Sequence, residues 1–187
     1  MAMSTTNYSP EKLRELIVHV AERSTDDPRF GMVKLNKILF FSDFLSMQRH
    51  REPITGAAYQ RLPHGPCPQQ MKPALDRLVA DGAIRIDVEQ TYGLKQQRVV
   101  PLRTANLEQF TARDIDVADE ILGQARSMSN SDIEDLSHET VAWRIAADKQ
   151  EIPYESAYCR SGGFLSNDQL EWAQAMGARL DDGVETP

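Results

Sequence analysis

The chain has 187 residues, 41% hydrophobic and 26% charged, with a formal net charge of −7. That length sustains one domain with its own core, and the balance is that of a globular protein rather than a disordered or fibrous one. Two cysteines make no disulfide framework, no apolar run approaches the ~18 residues of a membrane span, and the N-terminus lacks the basic and apolar regions of a signal peptide, so a cytoplasmic protein with no membrane partner is expected.

Charge is unevenly spread. Residues 1–103 carry 15 Lys+Arg against 11 Asp+Glu, a balance of +4, and residues 104–187 carry 6 against 17, a balance of −11. An acidic half repels phosphate and argues against non-specific nucleic-acid binding by the whole chain, while the basic half leaves a local DNA contact open.

In chain order, Ser9 and Pro10 suit the N-cap and first position of a helix, and Leu13, Leu16, Ile17 and Val20 recur at helical spacing to about Ser24. Gly31 to about Gln48 is a central helix, apolar around most of its circumference through Leu35, Ile38, Leu39, Phe40, Phe41, Phe44 and Leu45, and therefore buried on several sides. Lys34 and Lys37 lie on one edge near its start, free to pair with carboxylates of the acidic half or of a partner. A short strand follows at 57–62, then a rigid loop at 63–68 in which Pro63, Gly65, Pro66 and Pro68 fix the backbone. The next helix starts at Pro68 or Gln69, carries the stripe Met71, Leu75, Leu78 and Val79, and ends near Gly82. Strands at 83–88 and 97–102 flank a turn at 89–96, so that helix and hairpin follow in the order of a winged helix. After Thr104 the chain reads as acidic helices: one around Ile115 to Leu122, one opened by the capping-box spacing Ser131 to Glu134 and running to Trp143, and a last one opened by Ser166 to Gln169. The fold class expected is mainly α (α+β): a compact helical domain over 9–160 with a winged-helix-like β-hairpin, a packed helix over 161–180 and a frayed tail over 181–187.

Several groupings in this order carry a resemblance. Lys34-Leu35-x-Lys37-Ile38-Leu39-Phe40, Gly56-Ala-x-Tyr59, Gly65-Pro66, Leu136-Ser-His138, Trp143 and Ile152-Pro-Tyr154 together resemble the Panacea, or SocA-like, antitoxin domain over roughly residues 10–160. The resemblance implies a phage-associated or bacterial antitoxin that neutralises a protein toxin by direct binding, with no cofactor and no enzymatic reaction. In one branch of the family the antitoxin is also a proteolytic adaptor, which would add an ATP-dependent protease as partner. Matching positions are Lys34, Leu35, Lys37, Leu39, Gly65, Pro66, Trp143 and Tyr154. Of these Leu35, Leu39 and Trp143 read as core, and Gly65 and Pro66 as the loop's shape. The chain departs from the family pattern at His64, where an aromatic is common, and at Cys67, where an aliphatic residue is.

Toxin-binding candidates are Lys34, Lys37 and the residues near the loop and hairpin tip, Tyr59, Arg61, His64 and Tyr92, since aromatic and arginine side chains anchor interfaces. The acidic half would steer a basic toxin. A DNA-binding regulator is the competing class, with Gln69, Gln70, Lys72 and Arg77 on the recognition helix and Arg85, Lys95, Arg98 and Arg103 on the hairpin; Asp76 lies within that thin basic set, so DNA is not favoured. His64 and Cys67, three apart, could make a Cys–His nucleophile, a third and weaker reading, because Cys67 also suits a small buried hydrophobe. Adding His138 and Cys159 gives no zinc spacing, so no metal is expected. Neither GxGxxG nor a P-loop occurs.

Overall fold

A computed structural model describes residues 7–91 and 94–159. Tyr92 and the expected helix and tail beyond residue 160 lie outside the described residues. The fold is mainly helical with two small sheets, in the order α1 (Pro10–Arg23), α2 (Met32–His50), β1 (Tyr59–Gln60), β2 (Cys67–Pro68), α3 (Met71–Ala80), β3 (Ile84–Thr91), β4 (Leu94–Pro101), α4 (Ala112–Arg126), α5 (Asn130–Glu139), α6 (Val141–Ile145), β5 (Glu151–Ile152) and a 3₁₀ turn over Tyr154–Tyr158.

Helix α1 forms where its caps say it should. The Ser9 hydroxyl accepts from Lys12 N, Pro10 occupies the first turn, and Leu13, Leu16, Ile17 and Val20 are wholly buried. Helix α2 is the axle. It packs on α1, α4, α5, β2, β4 and the 3₁₀ turn, which is why apolar residues surround it. Leu35 and Leu39 are fully buried within the single core, as the pattern requires. Trp143 is only half-buried, packed against that core from its edge.

The loop after β1 is shorter than its sequence suggests. Cys67 and Pro68 turn back to pair antiparallel with β1, and β5 pairs on the other side, giving a β2–β1–β5 sheet with Tyr59 opposite both Pro68 and Ile152. The hairpin is longer than expected: β3 and β4 stay paired from Ile84↔Pro101 out to Thr91↔Leu94. Gln90, Thr91, Lys95 and Gln96 in this extension are polar, so hydrophobic alternation carries no strand signal there.

The acidic half begins with α4, whose cap is Thr111 paired reciprocally with Asp114. Helix α5 starts two residues before the expected box. Ser129 and Asp132 supply the reciprocal bonds, so an aspartate fills the position where glutamate was sought. Thr140 ends α5 and caps α6, splitting the region expected as one helix.

Part of the acidic half's charge is paired inside the fold. Lys12 pairs with Asp114 at 3.1 Å, His19 with Asp119 at 2.8 Å and Arg49 with Glu120 at 2.7 Å, so α4 lays its carboxylates against the basic α1 and α2. Those groups are not free to steer a basic toxin.

Candidate functional site

Polar side chains inside α2 organise the region that faces outward around residues 62–66. Asp43 is wholly buried midway along the helix. Its carboxylate accepts from Thr55 N at 2.7 Å, from the Thr55 hydroxyl, and from the Tyr59 hydroxyl at 2.8 Å. Burial pushes the Asp43 carboxyl up, the Thr55 and Tyr59 donors oppose that rise, and burial beside Asp43 pushes the Tyr59 phenol well up. Tyr154 stacks on Phe44 at 4.8 Å between ring centroids and donates its hydroxyl to Ala57 O at 2.7 Å. This knot fixes β1 and the chain entering the loop. A lone acid inside Phe41-Ser-Asp-Phe-Leu45 was its sequence signal, because a buried carboxylate must find donors.

Lys34 and Lys37 are corrections to the edge placement read from the sequence. Both are buried, at 1% and 2% exposure. Lys34 Nζ lies 2.7 Å from Asp27 Oδ2 and 2.8 Å from Met128 O, tying the start of α2 to the α1–α2 and α4–α5 connections. Lys37 Nζ donates to the carbonyl of His64. Burial lowers Lys37 to about 8, with the nearby Glu134 and Cys67 opposing that fall. Tyr59, expected as an anchor, is also fully buried. These three side chains hold the site from beneath and do not present themselves to a partner.

Gly65 sits directly over Lys37. Its φ is +93°, and an added Cβ would come within 2.5 Å of both Lys37 Cε and Ser137 Oγ. The position thus demands glycine twice, for backbone conformation and for space. Pro66 is buried beside it.

Of the other two described candidates, Arg61 is half-buried and His64 is exposed. The Arg61 guanidinium lies 3.9 Å from the Trp143 ring centroid and donates to Ala146 O at 2.6 Å. Trp143 in turn stacks on His138 at 4.1 Å and donates to Leu62 O at 3.3 Å. His138 Nε2 is buried without a hydrogen-bond partner, and burial lowers that imidazole. The His64 side chain is 81% exposed, its Nδ1 3.2 Å from Glu134 Oε1.

His64 and Glu134 form one end of a cleft of about 850 Å³ that runs between the hairpin and the starts of α2 and α5. Met32, Val33 and Val88 give it apolar walls, Arg29 and Lys95 give it cations, and Gln96 joins its two sides. Gln96 donates to Phe30 O at 2.7 Å and accepts from Asn130 at 3.2 Å. Gly31 lets the hairpin come this close, since a Cβ there would meet Gln96 Cγ at 2.5 Å. Arg98 fastens the same hairpin by donating to Ser24, Thr25 and Asp27 carbonyls. The cleft was invisible in the sequence, because its residues come from four separated segments.

The chain matches the family model for the antitoxin SocA-like, Panacea domain over residues 35–144. It belongs to that family. The match covers more than half of the chain and includes α2 from Leu35, the Gly65 loop, the hairpin and the stack on Trp143. No curated protein and no solved structure matches.

Within this Panacea domain the other chemistries gain little. Cys67 Sγ lies 3.4 Å from Asn36 Oδ1 while His64 turns to Glu134, and burial raises the thiol, the reverse of what a nucleophile needs. Among the described residues no group of three or more His, Cys, Asp or Glu could hold a metal ion, and no helix is long and apolar enough to cross a membrane. Helix α3 leads into the hairpin in the order expected, but its cations are occupied: Lys72 pairs with Asp76 at 2.6 Å and Arg77 with Asp81 at 2.8 Å. Arg85 pairs with Asp87, Arg103 with Glu15, and Arg98 is spent on carbonyls. That leaves few cations for a phosphate backbone.

Proposed function

We propose that this chain is an antitoxin that neutralises a cognate protein toxin by direct, stoichiometric binding. Membership of the antitoxin SocA-like, Panacea domain family across residues 35–144 carries the reading. The exposed His64 loop and the cleft beside it support it, because a partner meets a surface already shaped and fastened from below, which reduces the ordering cost of association. Lys34, Lys37 and Tyr59 act by holding that surface. On this reading the protein acts in the cytoplasm.

Co-expression with the product of the adjacent reading frame tests this. The toxin alone arrests growth; with this chain present, growth returns and the two proteins co-purify. Persistent arrest despite equal expression of both would refute the reading. Carriage of the toxin to an ATP-dependent protease is the family's second mode. It predicts that toxin abundance falls when this chain is expressed and recovers when the protease is inactivated, whereas simple neutralisation leaves toxin abundance unchanged.

A further inference from the structure

Among the described residues, strand β3 pairs with β4 on one side and with no strand on the other. Leu102 N donates to Ala83 O at 2.9 Å, which sets the phase of the antiparallel ladder. Arg85 with Val100, Asp87 with Arg98 and Glu89 with Gln96 are then the pairs that exchange hydrogen bonds. Pro101, which has no N–H, accordingly stands opposite Ile84 in a pair that exchanges none. The peptide groups of Ile84, Ile86 and Val88 point away from β4, and among the described residues they have no hydrogen-bond partner.

The two edges of the hairpin differ. Strand β4 lies against α1 and α2 and carries Pro101 and Lys95 at its outward positions, residue types that blunt a strand edge. Strand β3 has neither type, keeps an unbroken register over its 8 residues, and leaves Ile86 37% and Val88 66% exposed. Such an edge is a template for another strand.

The sequence of β3 selects which strand fits. Arg85 and Asp87 alternate with Ile84, Ile86 and Val88, so charges line one face and aliphatic side chains the other. Set antiparallel to a second copy of itself about a two-fold axis at Ile86, each Arg85 falls opposite Asp87 of the other copy and each Ile84 opposite Val88. Sliding the copies by two residues sets Arg85 against Arg85 in one direction and Asp87 against Asp87 in the other. A slide of one residue takes the outward peptide groups out of pairing.

We propose that this chain forms a two-fold dimer through β3, joining two hairpins into one four-stranded sheet in the order β4–β3–β3–β4. Within a chain Arg85 lies 2.9 Å from Asp87, and the second copy adds an opposite charge beside each of them. The open peptide groups call for an extended strand, and the charge order makes β3 its own complement. The contact is short, at the small end of protein interfaces, so the dimer is concentration-dependent. The inference is independent of the antitoxin reading, since dimerisation is measured on this chain alone.

Sedimentation velocity on the full chain, from about 5 µM to about 500 µM, reads the equilibrium. The wild-type chain passes from monomer to dimer across that range. Val88→Pro removes an outward N–H that the β3–β4 ladder does not use; it keeps the thermal melt of the wild type and stays monomeric. Arg85→Asp and Asp87→Arg each set like charges opposite one another twice, and each alone dimerises about tenfold more weakly than wild type. An equal mixture of those two variants restores the dimer, because every charged pair across the axis is again of opposite sign. That rescue between separate chains is something a fault in folding would not produce. A wild-type chain that stays monomeric throughout, an undiminished dimer in Val88→Pro, or a mixture that dimerises no better than its components would overturn the proposal.

Discussion

Lys37 donates its ammonium to the carbonyl of His64, and Gly65 passes directly over the aliphatic end of that lysine. A buried cation on α2 thereby fixes the loop at whose edge His64 is exposed. The central helix and the candidate binding rim are one mechanical unit.

That relationship makes Gly65→Ala costly. The new methyl group would contact Lys37 Cε and Ser137 Oγ at 2.5 Å and would hold an L-residue at φ +93°. Strain and overpacking together are expected to destabilise by about 2–4 kcal/mol. Urea denaturation of the variant checks this, and a loss below about 0.5 kcal/mol would show that the loop is free to move off Lys37.

Lys37 also gives stability a pH dependence of predictable sign. Its folded value of about 8 lies below the ordinary 10.5, so the folded chain binds fewer protons between those limits than the unfolded chain. Stability attributable to Lys37 therefore rises with pH from about 8 to 10.5, by at most about 3 kcal/mol. The difference between wild type and Lys37→Met isolates this from the tyrosines and cysteines that ionise in the same range. A difference that stays flat from pH 7 to pH 10 contradicts the buried, desolvated position of the amine.

Lys34 and Asp27 are a buried pair 2.7 Å apart. Lys34→Met leaves the Asp27 carboxylate without its cation and is expected to cost about 3–5 kcal/mol, whereas the double change Lys34→Met/Asp27→Leu recovers much of that loss. A double-mutant cycle on unfolding free energies measures the coupling. Equal costs for the single and double variants would mean that the aspartate finds sufficient charge compensation in Arg29 alone.

In the core, Leu39→Ala is expected to cost about 2–5 kcal/mol through lost transfer energy and the cavity left behind. Chemical denaturation checks it; a cost below about 1 kcal/mol would show that α2 is not the axle of the fold.

The sequence made the helices legible wherever local chemistry decides them. Ser9 and Pro10 mark the start of α1 because capping is a contact between neighbours in sequence. The same logic slipped at α5, where Ser131 to Glu134 and Ser129 to Asp132 both fit the spacing and only the packed structure selects the second. Lys34 and Lys37 were misplaced for a different reason. A lysine is normally a surface residue, and only the distant Asp27, Met128 O and His64 O make its burial tolerable. Tyr59 was an ambiguous anchor until Asp43, sixteen residues away, supplied its partner. The cleft was out of reach altogether, since no local pattern brings Val33, Val88 and Ser131 together.

Neutralisation requires direct binding of the toxin. The most direct measurement is the mass, by light scattering after size exclusion, of this chain mixed with the purified product of the adjacent reading frame. A single species with the mass of a stoichiometric complex, less abundant for Gly65→Ala, is the predicted result. Two separate peaks at the masses of the free proteins, at concentrations where growth is nonetheless rescued, would contradict neutralisation by direct binding.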